Sequence, residues 1–503
     1  MKPSTKGRLH LDGRSLRLVN FARVARADVP PRVSLSTQAR ALMAKSAQHV
    51  RAMLKSQQTV YGVNTGFGRL AEVRISASDL AALQRNLIVS HAAGVGPPCE
   101  REEVRGMIVL RLNCLAKGLS GVRPQIADRL SAMLNNDILP LVPQRGSVGA
   151  SGDLAPMAHI ALTVIGEGDV DVGGRRMPAK RAWAAIGIDP IELHAKEGLA
   201  LINGVQASTS MLALALDDLR MLIEAADQIA ALTAHAIAAR HDPFESVLAQ
   251  ARPHPGQAVS ARNILAALRA AERRSPAKRV QDPYAVRCTP QVHGVCHDAV
   301  LSATRVVETE FNSATDNPLI FGEGRAISGG NFHGAPIGHA ADHLAAVVAD
   351  VASISERRVC LLMDPVYNGA TPFLVPKGGE GLHSGLMMWQ VTAASQVSEL
   401  KTLAHPASVD SIPTSLGQED HVSMSMWASI KLRRAVERWR TVLAIEAMAA
   451  WRASRLNGRL PQRGALLRAA NTIGATHGSS LADRQLGHVV TALSERISEL
   501  CGR

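Results

Sequence analysis

Prolines divide this chain into long uninterrupted windows, and their spacing limits the architecture more than any other feature. None lies between Pro190 and Pro243, Pro290 and Pro318, Pro336 and Pro365, Pro376 and Pro406, or Pro413 and Pro461. A proline inside a helix removes a hydrogen bond and clashes with the preceding turn, so each window can hold a helix well beyond three turns. In the first window Leu212, Leu216, Leu219 and Ile223 recur at helical spacing, which predicts a helix from about Gln206 to Arg240. Five long helices in succession imply a mainly α chain, a long-helix bundle whose facing sides form the core. Aromatic residues are only 3% of the 503, which also favours helix over sheet.

The amino-terminal part reads differently. Short apolar runs between turn residues, at His10–Arg26 and Thr59–Val63, are consistent with a smaller mixed region. The chain therefore divides softly into 1–205 and 206–503. Asp316-Asn317-Pro318 reads as a helix stop, Gly329-Gly330 as a loop, and Leu466–Leu500 as one or two terminal helices.

Charge raises one class of partner that its distribution argues against. Lys and Arg number 56 against 43 Asp and Glu, a net charge of +13, which brings nucleic acid to mind. Yet the basic residues are scattered, and three tyrosines are too few for a stacking platform. The densest cluster, Arg273-Arg274 to Lys278-Arg279, surrounds Pro276 and reads as a solvated loop. With no apolar stretch of eighteen residues and no signal peptide at Met1-Lys2-Pro3, a soluble cytoplasmic protein is expected, binding neither nucleic acid nor membrane. Six cysteines without paired spacing read as free thiols. His293, Cys296 and His297 fall close together, but without a second ligand cluster they read as partly buried helix surface, and no metal is expected.

The chemistry centres on Gly146-Ser-Val-Gly-Ala-Ser-Gly-Asp153. Small residues and glycine leave the backbone of Ala150-Ser151-Gly152 free enough for the Gly152 nitrogen to reach the Ala150 carbonyl carbon. Closure with loss of two waters, one from the Ser151 hydroxyl, gives an imidazolone with an exocyclic methylene. That ring is an electrophile, which no ordinary side chain supplies. A hydrolase nucleophile elbow fits poorly, because Asp153 occupies the place of the second glycine. Pro140 and Pro143 also break the strand that should precede it. The plain alternative is a Gly/Ser loop opening a helix at Asp153.

The run resembles the signature of the aromatic amino-acid ammonia-lyases, which form this 4-methylidene-imidazol-5-one (MIO) group from their own chain. The resemblance covers about residues 55 to 450 and is nearest to the histidine-acting members. It rests also on Tyr61-Gly-Val-Asn-Thr-Gly-Phe-Gly68, Glu197-Gly-Leu-Ala-Leu-Ile-Asn-Gly204, Gln281-Asp-Pro-Tyr-Ala-Val-Arg-Cys288 and Gly329-Gly-Asn-Phe-His333. Ser408–Ser415 and Gln418–Val422 extend it; capping residues ahead of a helix would explain only Ser415 and Asp420. It implies a fold of the fumarase/aspartase-like superfamily and MIO as the only cofactor. It further implies a homotetramer in which neighbouring subunits complete each site.

In that resemblance Tyr61 is the base that removes the β-proton, which requires a lowered phenol pKa. Asn203 lies against the MIO ring; alone, it would read as a helix cap. Arg287 clamps the substrate carboxylate with a planar guanidinium, Gln281 and Tyr284 line the pocket, and Phe332 lies beside the substrate ring. The MIO methylene would add to the amine, with attack by the substrate's imidazole as the competing mechanism, and helix N-termini aimed at the ring would strengthen its pull. Ser90-His91 and Glu419 match the histidine-acting branch. A bare phenyl ring would leave those polar groups unpaired, at roughly 1–3 kcal/mol each.

The chain departs from that branch at Val205, at Thr289 and His293 within Thr289–Gly294 (where Gln and Met are usual), and at Gly334–Gly338. The open alternatives are a tyrosine or phenylalanine lyase, a 2,3-aminomutase, a non-catalytic scaffold and a basic nucleic-acid binder.

Overall fold

Each proline-free window carries one long helix. These are Gln206–Ala236, Thr289–Phe311, Ala335–Met363, Met387–Leu403 and Ser425–Leu456. Pro290 and Pro336 stand second in their helices, where the missing N–H has no intrahelical partner to lose. This computed structural model describes residues 7–56, 59–271 and 279–501, so Arg273 to Lys278 of the basic cluster lie outside the described residues, while Arg279 pairs with the buried Asp282 carboxylate at 2.9 Å. Among them nineteen α-helices accompany nine short strands. The fold is mainly α.

The chain forms two compact units that are interleaved along the sequence. The first comprises Met1–Leu214, Thr304–Ala341 and Pro406–Ile430, and the second Ala215–Ala303, Asp342–His405 and Lys431–Arg503. Four of the long helices contribute residues to both.

The first unit is the mixed one. Its centre is Arg101–Ala116, buried on all sides from Glu103 onward, as a helix inside a core must be. Short strands surround it. Arg8–Leu11 runs parallel to Arg32–Leu35, and Asp169–Val172 pairs with Arg175–Pro178 across Gly173-Gly174. Both of those glycines have positive φ, as a two-residue hairpin turn requires. Pro140 and Pro143 do lie in strands, Ile138–Pro140 and Pro143–Arg145, but only at sheet edges. There a missing donor is tolerated.

The second unit is helical, with Leu219, Ile223, Ile264, Leu268, Trp439 and Leu443 in its core. It also buries charge. Asp227 accepts from His293 Nδ1 and His297 Nε2, both at 2.9 Å, and from Ser260 and Asn263. His293 and Cys296 are therefore fully buried, not the partly buried surface expected from spacing. A buried carboxylate needs these donors, and the imidazoles supply two of them.

Thr289–Phe311 ends before Asp316-Asn317-Pro318 because Asn312 turns its amide back onto the carbonyls of Glu308 and Leu16. The carboxy-terminal stretch holds Gly464–His477 and Gly487–Glu495. Ala335–Met363 is the one described helix long and apolar enough to cross a membrane by length and composition, and 56% of its apolar window is buried.

Candidate active site

Four helix N-termini of the first unit converge on the loop that carries Ala150-Ser151-Gly152. Leu154–Val164 starts directly after it, and Gly152 bridges Gly204 just ahead of Gln206–Ala236. Gly334 N donates to Gly149 O at 3.2 Å, and Met424 N to Val148 O at 2.8 Å, each one residue before a long helix begins. The positive ends of four helix dipoles thus face one segment.

Two glycines in this loop are fixed by geometry. Gly149 and Gly152 have φ of +68° and +77°. A Cβ on Gly152 would fall 2.4 Å from the Gly204 backbone, and one on Gly149 would fall 2.3 Å from Ser423 Oγ. Only glycine fits both the conformation and the space. Ala150 and Gly152 are buried, whereas Ser151 keeps partial access to solvent.

Asp153 opens the following helix without capping it. Its buried carboxylate accepts from Ser147 Oγ at 2.7 Å, Ser208 N at 2.8 Å and Ser208 Oγ at 2.7 Å. It therefore caps a different helix, at the first turn of Gln206–Ala236. Burial raises its pKa even against these bonds. Burial, with the charge of Asp153, also pushes the Glu310 carboxyl up to about 7.

Asn203 follows the short helix Glu197–Ile202 instead of starting one. Its Nδ2 donates to Ser151 O at 2.7 Å, and its buried Oδ1 finds no partner among the described residues. Behind it Arg111, fully buried, donates to Ala200 O at 3.1 Å, to Asn203 O at 2.7 Å and to Gln206. Sequence reasoning missed Arg111. The available signal was one arginine interrupting the apolar run Met107–Leu115.

On the open side Ser151 Oγ donates to Glu419 Oε1 at 2.6 Å. The other carboxylate oxygen accepts from Thr414 Oγ1 at 2.6 Å and Ser415 Oγ at 3.0 Å. Burial works to raise this pKa, but the three hydroxyls and the nearby His91 outweigh it and hold Glu419 below the ordinary carboxylate range. His91 Nδ1 donates to Leu87 O at 2.8 Å. A carbonyl can only accept, so a neutral His91 presents Nε2 as an acceptor.

Tyr61 reaches the same cluster, since the Gly68–Leu70 turn of its loop packs against Ser415–Gly417. Its hydroxyl accepts from Gly68 N at 3.4 Å. Burial and the charge of Glu419 nevertheless push the phenol up, opposite to the lowering expected of a base. Phe332 is half-buried in a turn fixed by His333, which stacks on His421 and donates Nε2 to its carbonyl at 3.0 Å.

The first unit thus gathers Tyr61, His91, the Ala150-Ser151-Gly152 triplet, Asn203 and Glu419, with Phe332 next to the same loop. Gln281, Tyr284 and Arg287 belong to the second unit. There Gln281 is exposed, Tyr284 is 70% exposed, and the Arg287 guanidinium lies 4.5 Å from the Tyr284 ring centroid. Arg287 Nε is buried and finds no partner among the described residues.

Known proteins share this arrangement of sequence and fold. Residues 16–474 match the aromatic amino acid lyase family, and the chain belongs to that family. A histidine ammonia-lyase of Gloeobacter violaceus is 46% identical over 98% of each chain. The structure of histidine ammonia-lyase from Trypanosoma cruzi is 35% identical, with a TM-score of 0.90 over 98% of this chain and 94% of that one. That of tyrosine aminomutase from Streptomyces globisporus is 32% identical, with a TM-score of 0.93 over 98% and 97%.

Proposed function

We propose that this chain is a carbon–nitrogen lyase that converts L-histidine to trans-urocanate and ammonia at an MIO group formed from Ala150-Ser151-Gly152. The observation that carries the substrate is Glu419, an ionised carboxylate held by three hydroxyls with His91 close by. An imidazole offers that pair both a donor and an acceptor. Ring closure removes the Ser151 hydroxyl, so a phenyl ring would leave the Oε1 it bonds without that donor, at roughly 1–3 kcal/mol. The relatives named histidine ammonia-lyase support the same reading.

The loop fits the MIO group. Gly152 lies flush against Gly204 with no room for a side chain, Asn203 Oδ1 is left unpaired, and Ser151 is the member of the triplet open to a ligand. The ring supplies an electrophile that makes a bound amino acid's nitrogen a better leaving group.

The chain's own residues do the rest. Arg287 holds the substrate carboxylate, using the Nε that finds no partner among the described residues. Tyr284 and Gln281 stand on the same exposed turn, and they reach the site from a neighbouring copy in a homotetramer. Tyr61 takes the β-proton. Because its phenol is pushed up in the isolated chain, a cation must join it first, and the substrate ammonium or Arg287 provides one. The described cysteines are unbridged, which suits a cytoplasmic enzyme.

The test is turnover of L-histidine, L-tyrosine and L-phenylalanine, followed by the ultraviolet absorbance of the conjugated acid. Urocanate alone is the expected result. Cinnamate or coumarate in its place would contradict the role given to His91 and Glu419.

A further inference from the structure

The turn that carries Tyr284 and Arg287 is held from behind by a buried network that takes no part in the steps above. Ala285 O accepts from Thr289 Oγ1 at 3.0 Å and from Arg358 NH1 at 3.4 Å. The same Arg358 nitrogen donates to Thr289 Oγ1 at 3.4 Å, which closes a three-membered cluster. Arg358 is fully buried, and its other edge meets Glu446 through Nε at 2.6 Å and NH2 at 3.0 Å. Thr233 Oγ1 at 2.8 Å and Ser355 Oγ also donate to Glu446. NH2 further donates to His293 Nε2 at 3.4 Å, while His293 Nδ1 donates to Asp227.

A planar guanidinium has donors along two edges at fixed angles, and here one edge is locked by a carboxylate while the other reaches the turn. His293 must remain neutral to accept from Arg358, and burial together with that guanidinium's charge lowers its pKa accordingly, against the pull of Asp227. The arrangement fixes the carbonyl in the middle of a four-residue helix, Tyr284–Arg287, whose Tyr284 side chain is 70% exposed and whose Arg287 Nε finds no hydrogen-bond partner among the described residues.

We propose that Thr289 and Arg358 are positioning residues for the carboxylate clamp, fixing the angle at which the Tyr284–Arg287 turn presents Arg287 to the substrate. His293 orients Arg358 from behind. The inference rests on the proposed lyase reading and on the role given there to Arg287. A loosened turn weakens capture of the substrate carboxylate and leaves the reacting groups of the first unit intact. The signature is a rise in KM with little change in kcat.

Thr289→Val keeps the shape of the side chain and removes its hydroxyl, and Thr289→Ser keeps the hydroxyl. With full-length enzyme and L-histidine, Thr289→Val is expected to raise KM about tenfold, the effect of one lost hydrogen bond, with kcat within about twofold. Thr289→Ser restores KM. Combined with Arg287→Lys, Thr289→Val adds little further, because both act through one contact. An active wild type with unchanged KM in Thr289→Val overturns the proposal, as does full additivity with Arg287→Lys. A wild type that turns over none of L-histidine, L-tyrosine and L-phenylalanine overturns the lyase reading and the proposal with it.

Discussion

The loop around Ala150-Ser151-Gly152 and the turn around Tyr284-Arg287 are secured in opposite ways. In the loop side chains join the backbone bonds as anchors: Asp153 accepts three hydrogen bonds, Asn203 holds the Ser151 carbonyl, and Glu419 takes the Ser151 hydroxyl. In the turn the Ala285 carbonyl and the neighbouring Asp282 carboxylate are anchored, and the functional side chains are not. Tyr284 is 70% exposed, and Arg287 Nε finds no partner among the described residues. The loop is complete within one chain. On the proposed function, the turn is finished by what it binds.

Five changes break or sharpen that contrast. Ser151→Ala should lower turnover by roughly three orders of magnitude or more, as removal of a covalent catalytic group does, while circular dichroism and melting temperature stay near wild type. Arg287→Ala should raise KM for histidine roughly ten- to a hundredfold through the lost charge-assisted bonds. A wild-type KM there would remove the clamp from the account.

Stability should divide the two regions in the same way. Gly149→Ala forces a Cβ to 2.3 Å from Ser423 Oγ at positive φ, and denaturant unfolding should show a loss of about 2–4 kcal/mol. Tyr284→Ala should change unfolding by under about 0.5 kcal/mol while it lowers activity. Equal losses in both would mean that the turn is as structural as the loop.

The smallest effect is a pH slope. Glu310 titrates at about 7 in the folded chain against 4.5 in its unfolded form. Between those values the folded state binds more protons, so this contribution to stability is complete below pH 4.5 and is lost as pH rises through 7. Since Glu310 keeps partial solvent access, about 1–3 kcal/mol is at stake. Glu310→Gln should flatten the melting temperature between pH 5 and 8, and an unaltered slope would show that another group carries it.

What could be read from the sequence followed from local rules. Proline spacing and 3.6-residue periodicity located the five long helices, because those rules act within one helix. The motifs located the residues that the first unit assembles. Local rules failed where a distant partner decides the outcome. Asp153 looks like the cap of its own helix, yet it bonds Ser208 on another. A base role for Tyr61 calls for a lowered phenol pKa, but burial, with the charge of Glu419 far along the chain, pushes its phenol the other way. Arg111 was overlooked because the carbonyls it holds, Ala200 and Asn203, lie some ninety residues away. The interleaving of the two units has no local signature at all.

The most direct test of the central claim, that the first-unit loop is organised to become an electrophile, is the intact mass of purified wild-type and Ser151→Ala chains. The account predicts a wild-type mass short of the sequence mass by two waters and a Ser151→Ala chain without that deficit. A wild-type chain at its full sequence mass that nevertheless turns over histidine would contradict it.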